Sequence, residues 1–199
     1  LTAKGEKVGI VKVHLYRPFD TQKFLAVMPK TVKKIAVLDR TIEQGSLYEP
    51  LCLDIQSVYY GHKNAPLIVG GRYGLSSKDT TPDMVNAVYT NLAQNEPKDH
   101  FVIGIDDDIE HTSLPLGPSI DVCDPTTTEL LFFGLGSDGT VGACKNISKI
   151  VGDYTEYYSQ SYAAYDSKKS GGSTRLHLRF SKKPIRSTYL VNQPHFVSC

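Results

Sequence analysis

Apolar positions in this chain come in short β-branched runs, separated by stretches in which they recur every three or four residues. These are the two periods that strands and helices impose. Val8 to Tyr16 (VGIVKVHLY) predicts a strand, broken by Arg17-Pro18-Phe19 before a helix over Thr21 to Met28. Lys34 to Arg40 (KIAVLDR) predicts a second, buried strand. After a turn at Gln44-Gly45-Ser46, Glu49 to Tyr60 predicts a helix and Pro66 to Gly70 (PLIVG) a third strand. Thr81-Pro82 offers an N-cap and a proline at the first helical position, and Met84, Val85, Val88 and Leu92 follow at helical spacing as far as Gln94. His100 to Ile105 (HFVIGI) predicts the next strand. Strand and helix thus alternate, as they do around an open, mostly parallel sheet.

The periodicity lapses from Asp106 to Thr128, where an acidic run, Pro115, Pro118, Gly117 and several threonines predict an interdomain linker. Glu129 to Phe133 (ELLFF) restarts the pattern with a buried strand, followed by a glycine-rich turn and a helix over Val141 to Val151. Ser161 to Tyr165 and Ser173 to Phe180 predict two strands joined by the loop Asp166 to Gly172. The fold class read from these periods is α/β, with two open, mostly parallel sheet domains at 1–107 and 129–199 and a linker at 108–128.

Composition narrows the function classes. With 40% hydrophobic residues among 199, the chain can bury sizeable cores. Its 22 basic and 21 acidic residues leave a formal charge of +1, so no nucleic-acid partner is expected and any anionic ligand must be held locally. No apolar run reaches the length of a membrane span, which predicts a soluble protein with no membrane partner. The four cysteines stand far apart with no CxxC pair, so no metal or cluster site is expected from them, and scattered thiols suit a reducing compartment. Leu1 in place of methionine, and a stop at Cys199 directly after a strand-like segment, are read as cut ends of a longer polypeptide.

Two stretches carry candidate chemistry. Phe133-Gly134-Leu135-Gly136-Ser137-Asp138-Gly139-Thr140-Val141-Gly142 passes from an apolar strand into a helix, where a phosphate-binding loop belongs. Its glycines let backbone approach a ligand, and the following helix offers free N–H groups and a positive dipole end. The same pattern equally describes a tight turn with packing glycines; no Gly-Lys-Ser/Thr follows, and Asp138 is an unusual neighbour for a phosphate. The loop Tyr165-Asp166-Ser167-Lys168-Lys169-Ser170-Gly171-Gly172 is basic and glycine-ended, which suits a phosphorylated ligand and also a solvated hairpin. Lys182, Lys183 and Arg186 extend the positive tract. Asp106-Asp107-Asp108 with Glu110 and His111 lacks EF-hand spacing and reads as solvated linker. No nucleophile and base stand at a telling spacing, so no catalytic residue is nominated.

Several blocks together resemble one family, pyruvate:ferredoxin (flavodoxin) oxidoreductase. They are Leu15 to Phe19 (LYRPF), Pro29 to Thr41 (PKTVKKIAVLDRT), Gly70 to Lys78 (GGRYGLSSK), Gly134 to Ala143 (GLGSDGTVGA), Tyr165 to Gly172, and Lys183 to Leu190 (KPIRSTYL). The resemblance covers essentially the whole chain. It implies an internal piece of a large homodimeric enzyme that oxidatively decarboxylates pyruvate to acetyl-coenzyme A and CO2, with electrons passed to ferredoxin or flavodoxin. It further implies that the first domain is like a transketolase C-terminal domain, and the second like the gamma subunit of 2-oxoacid:ferredoxin oxidoreductases, which is associated with coenzyme A. Carried over residue by residue, the coenzyme A contacts become Gly134, Gly136, Ser137, Asp138, Gly139, Thr140 and Gly142 in the first loop, Lys168, Lys169, Ser170, Gly171 and Gly172 in the second, and Arg186. At Cys144 the family pattern leads one to expect asparagine. Thiamine diphosphate, Mg and 4Fe-4S clusters would be bound outside this piece, which alone is expected to be inactive. The compartment implied is the cytoplasm, or the hydrogenosome of an anaerobic protist. A fusion relative that reduces NADP would share every block, and a purely structural or dimer-forming spacer is the remaining alternative.

Overall fold

The structure, a computed structural model, describes residues 1–166 and 171–199. It divides into two compact units, Leu1–Ile120 and Asp121–Cys199.

In the first unit, α1 (Thr21–Val27), β1 (Lys34–Asp39), α2 (Pro50–Tyr59), β2 (Leu67–Arg72), α3 (Pro82–Ala93) and β3 (Phe101–Val102) follow one another. The strands form a parallel three-stranded sheet in the order β1-β2-β3. Alternation along the strands sorts their side chains to two faces. Ala36, Leu38 and Val69 pack with Ala87 and Val88 of α3, while Ile35, Val37 and Ile68 pack with Phe24 of α1 and Cys52 and Ile55 of α2. Helix α1 starts where the Asp20 carboxylate accepts the Lys23 N–H at 2.9 Å. Pro50 and Pro82 open α2 and α3, the latter as the sequence predicts. The cap of α2 comes from outside the helix: the buried Asp39 at the end of β1 accepts the N–H groups of Leu51 and Cys52, both at 3.1 Å. Burial raises its carboxyl pKa while these two bonds oppose the rise.

Two predicted strands change. Residues 8–16 join no sheet; Ile10 and Leu15 stay 72% and 66% exposed, and β-propensity without a partnering edge does not make a strand. The strand predicted to Ile105 pairs only at Phe101–Val102, because the chain turns at Gly104, whose φ is 82°. The acidic run is a built turn rather than loose linker. Asp107 accepts the N–H groups of Ile109 (3.2 Å), Glu110 (3.1 Å) and Thr112 (3.0 Å) and the Thr112 hydroxyl. The Thr112 hydroxyl, followed by these amides, holds its carboxyl well below the usual carboxylate range. Just beyond, Leu114 packs into the α3-side core.

The second unit runs β4 (Thr128–Leu135), α4 (Thr140–Tyr154), β5 (Tyr158–Tyr165), β6 (Ser173–Ser181) and β7 (Phe196–Ser198). Its sheet order is β5-β6-β4-β7. The expectation of a mostly parallel sheet is corrected here. Only β4 and β7 run parallel, whereas β5–β6 and β6–β4 are antiparallel. The connection 166–172 is too short for the crossover that a parallel pair requires, so β5 and β6 form a hairpin. On one face Leu176, Leu178, Leu130, Phe132, Ala163 and Phe180 meet Val141, Cys144 and Ile147 of α4. Cys144 is fully buried there, where the thiol packs as a small apolar group and an asparagine amide would need partners. The opposite face holds a buried polar cluster around Glu129, His177 and Arg179, while Phe133, Tyr162 and Arg175 on the same face are exposed. Arg179 pairs with Glu129 (Nε to Oε1, 2.5 Å) and donates from Nη1 to Gln160 (3.1 Å) and the Tyr189 carbonyl (2.8 Å).

All four cysteines are free. Burial, reinforced by the nearby Asp99 and Asp39, pushes the Cys52 thiol up to about 12, and burial also raises Cys144. Alkylation of the native chain is therefore expected to label exposed Cys199 first and half-buried Cys123 more slowly. Cys52 and Cys144 should react only after denaturation, as peptide mass spectrometry would read.

Candidate functional site

The site lies at one end of the second sheet. Strand register sets it: Leu135 pairs with Ser173 and Tyr165 with Thr174, so the turn leaving β4 and the hairpin loop 166–172 emerge side by side. The Gly136 N–H donates to the Gly172 carbonyl at 3.2 Å and ties the two together. The two separate sequence signals are thus neighbours in space. Lys168, Lys169 and Ser170 lie outside the described residues, but both anchors of their loop are fixed.

The β4–α4 turn is tight, and two of its glycines are there for steric reasons. A Cβ on Gly134 would sit 2.7 Å from Cβ of Thr140, so only glycine lets the start of α4 close onto the strand. Gly139 is the N-cap residue with φ 86°, and Ser137 beside it also has a positive φ, 71°. Around Gly142 a Cβ would meet nothing within 4 Å, so packing does not require that glycine.

Asp138 closes the turn. Its Oδ2 accepts the Leu135 N–H at 2.7 Å and its Oδ1 the Thr140 N–H at 2.8 Å, while its own N–H donates to the Leu135 carbonyl at 3.2 Å. The Thr140 and Leu135 N–H groups hold its carboxyl below its ordinary value, although the side chain is exposed. The first N–H of α4 is therefore already satisfied from within. The N–H groups of Ser137 and Gly139 have no such partner among the described residues, and both residues are exposed.

Arg186 does not join this cluster. The chain after β6 turns back over the polar face, where Gln160 Nε2 donates to the Ser187 carbonyl at 2.7 Å. Gln160 pairs with Arg179, six residues along β6 from Ser173. At about 3.3 Å per residue this places Arg186 roughly 20 Å from the glycine turn. Lys183, from the same tract, bonds Asp124 at 2.8 Å.

Comparison with known proteins follows the same division. Residues 129–199 match the family model described as "Pyruvate ferredoxin/flavodoxin oxidoreductase", and residues 1–85 match "Pyruvate:ferredoxin oxidoreductase core domain II". Along its whole length the chain is 56% identical to a pyruvate:ferredoxin oxidoreductase of Moorella thermoacetica. It is 54% identical to pyruvate-flavodoxin oxidoreductases of Trichormus variabilis and Enterobacter agglomerans, again over its full length. The chain belongs to the pyruvate:ferredoxin/flavodoxin oxidoreductase family. It spans 17% of the length of each of these three relatives.

Members of this family, as the resemblance implies, use iron–sulfur clusters and thiamine diphosphate, and the residues present do not fit a cluster. Cys52 and Cys144 are each sealed in the hydrophobic core of a different unit. Among the described residues no three His, Cys, Asp or Glu side chains converge as metal ligands. No described helix is long and apolar enough to cross a membrane.

The sequence reading named Asp138 as a candidate contact without its role in closing the turn, and it missed the Glu129–Arg179 pair under the sheet. A partial signal for the pair was present, since Glu129 is a charge at the head of the apolar run ELLFF; Arg179 lies in the alternating run RLHLRF beside Arg175 and His177 and does not stand out.

Proposed function

We propose that this chain is part of an enzyme that oxidatively decarboxylates pyruvate to acetyl-coenzyme A and CO2, and that the open end of its second sheet is where it meets coenzyme A. The relatives' names support the reaction. The bond from Gly136 to Gly172 carries the local assignment, because it brings exposed backbone N–H groups beside a loop containing two lysines. Coenzyme A carries a pyrophosphate and a ribose phosphate. The former suits the N–H groups of Ser137 and Gly139, and the latter the ammonium groups of Lys168 and Lys169. Gly134, Thr140 and Gly142 shape the α4 side of this seat, and Ser170 to Gly172 the hairpin side. Arg186, farther along the sheet, is given no contact in this reading.

Electrons pass to ferredoxin or flavodoxin in this reading, in a reducing, cytoplasmic setting and a homodimeric whole enzyme. Thiamine diphosphate, Mg and the 4Fe-4S clusters are assigned to other parts of the longer polypeptide. The chain by itself is accordingly expected not to turn over pyruvate.

The test is calorimetric. Reversing both charges, Lys168→Glu with Lys169→Glu, should weaken coenzyme A binding by about tenfold or more, the scale of losing one or two charge-assisted hydrogen bonds. Unchanged affinity would remove coenzyme A from this end. It would favour the structural spacer, a reading that the internally bonded Asp138 also supports.

A further inference from the structure

The segment that follows β6 lies over the second sheet as a strap, and side chains hold it there. Gln160 Nε2 donates to the Ser187 carbonyl at 2.7 Å, and Arg179 Nη1 to the Tyr189 carbonyl at 2.8 Å. The next two bonds run the other way. The Val191 N–H donates to Nδ1 of His177 at 3.1 Å, and the Glu129 N–H donates to Nδ1 of His195 at 3.0 Å, where the chain enters β7. An imidazole nitrogen accepts a hydrogen bond only when it carries no proton. Both rings are therefore neutral while the strap lies on the sheet.

The surroundings of His177 also oppose a second proton. The ring is buried, with Arg175 and Arg179 on either side along β6, Tyr162 opposite on β5 and Leu131 opposite on β4. Glu129 is the carboxylate that β4 brings to this face, and Arg179 already holds it. Nη2 of Arg179 is itself buried without an acceptor among the described residues. From the strap come the Tyr189 ring, 4.9 Å from the Arg179 guanidinium, and the exposed Arg186. Ahead of β4, the half-buried Cys123 thiol lies within electrostatic reach of Glu129 and Arg179. A charged His177 would thus add a second buried cation beside one carboxylate. His195 is exposed, and Glu129 is the charged residue on the strand it pairs with.

We infer that residues 186–195 form a proton-sensitive strap: neutral His177 and His195 hold it on the sheet, and protonation of the two rings releases it. Both rings take up protons more readily once the strap is off. The closed state is therefore favoured above the ordinary histidine pKa of about 6.5 and is lost as pH falls below it. The near end is held differently, by Lys183 on Asp124 at 2.8 Å. Bonds from Lys183 and Thr126 keep the Asp124 carboxyl well below the usual carboxylate range, so this anchor survives mild acid and the strap hinges there. Release uncovers the Glu129–Arg179 pair and loosens β7 from β4, which opens one edge of the sheet.

Amide hydrogen exchange of the full 199-residue chain tests this, expressed as protection factors so that the intrinsic pH dependence of exchange is removed. Between pH 7.5 and pH 5.5 the protection of the Val191 amide should fall about a hundredfold, roughly tenfold for each histidine, while the Leu178 amide within β6 keeps its protection. His195→Asn keeps an oxygen acceptor near the Nδ1 position and cannot titrate. It should reduce the fall to about tenfold, and adding His177→Asn should abolish it. Val191 protection that stays constant in the wild type, an equal loss at Leu178, or a double variant with the wild-type pH dependence would each overturn the inference. Imidazole nitrogen chemical shifts of the wild type decide the matter if the variants do not fold. Both rings should show an unprotonated Nδ1 at pH 7.5 and gain their second proton as Val191 loses protection. A ring already protonated at Nδ1 at pH 7.5, or one that titrates while the strap amides stay protected, would equally refute the strap.

Discussion

Replacing Glu129 by alanine is expected to destabilise the second unit by about 3–5 kcal/mol, the largest single effect in that part of the chain. The Arg179 side chain is 4% exposed and its Nε lies 2.5 Å from the Glu129 carboxylate. Without Glu129 the guanidinium keeps Gln160 and the Tyr189 carbonyl, both neutral acceptors, and remains a buried charge with no counter-charge. The cost arises from that stranded charge more than from the lost bond. Replacing both partners, Glu129→Leu with Arg179→Met, should therefore recover most of the loss. Urea unfolding, followed by hydrogen exchange of the β6 amides, would measure both. A double variant as unstable as Glu129→Ala would refute the account.

Gly71→Ala should cost the first unit about 3 kcal/mol. A methyl group there would lie 2.2 and 2.3 Å from two ring carbons of Phe101, well inside contact distance. Phe101 is fully buried among Val69, Val88 and Ile103, so the ring has nowhere to retreat. Shrinking the ring should relieve the clash: Phe101→Leu combined with Gly71→Ala should be less damaging than the sum of the two changes. Gly139→Ala meets open space instead, and should cost only the left-handed backbone penalty of about 1–2 kcal/mol.

Periodicity revealed those parts of the fold in which burial is one-sided. Helices α1 to α4 and strands β1, β2, β4 and β6 lie close to their predicted positions, because each puts apolar residues on a stripe or face that a core covers. The failures share a different cause. Val8 to Tyr16 has the composition of a strand, yet a strand is a pairing, and pairing is not a local property. The direction of β5 and β6 depends on the length of the connection between them, which the individual runs do not encode. Within the candidate site, the glycine turn and the hairpin loop were each visible, while their adjacency came only with the register Leu135–Ser173. Asp138 looked unfavourable to a phosphate in the sequence and in space closes the turn on itself.

The Asp107 turn bears on how the polypeptide can be dissected. A cut at residue 107 or 108, where the acidic run first suggests a seam, would separate this carboxylate from the amides it gathers and strip Leu114 from the α3 side of the sheet. A piece made to carry the first unit intact has to extend to Ile120, and one carrying the second can begin at Asp121 without severing either.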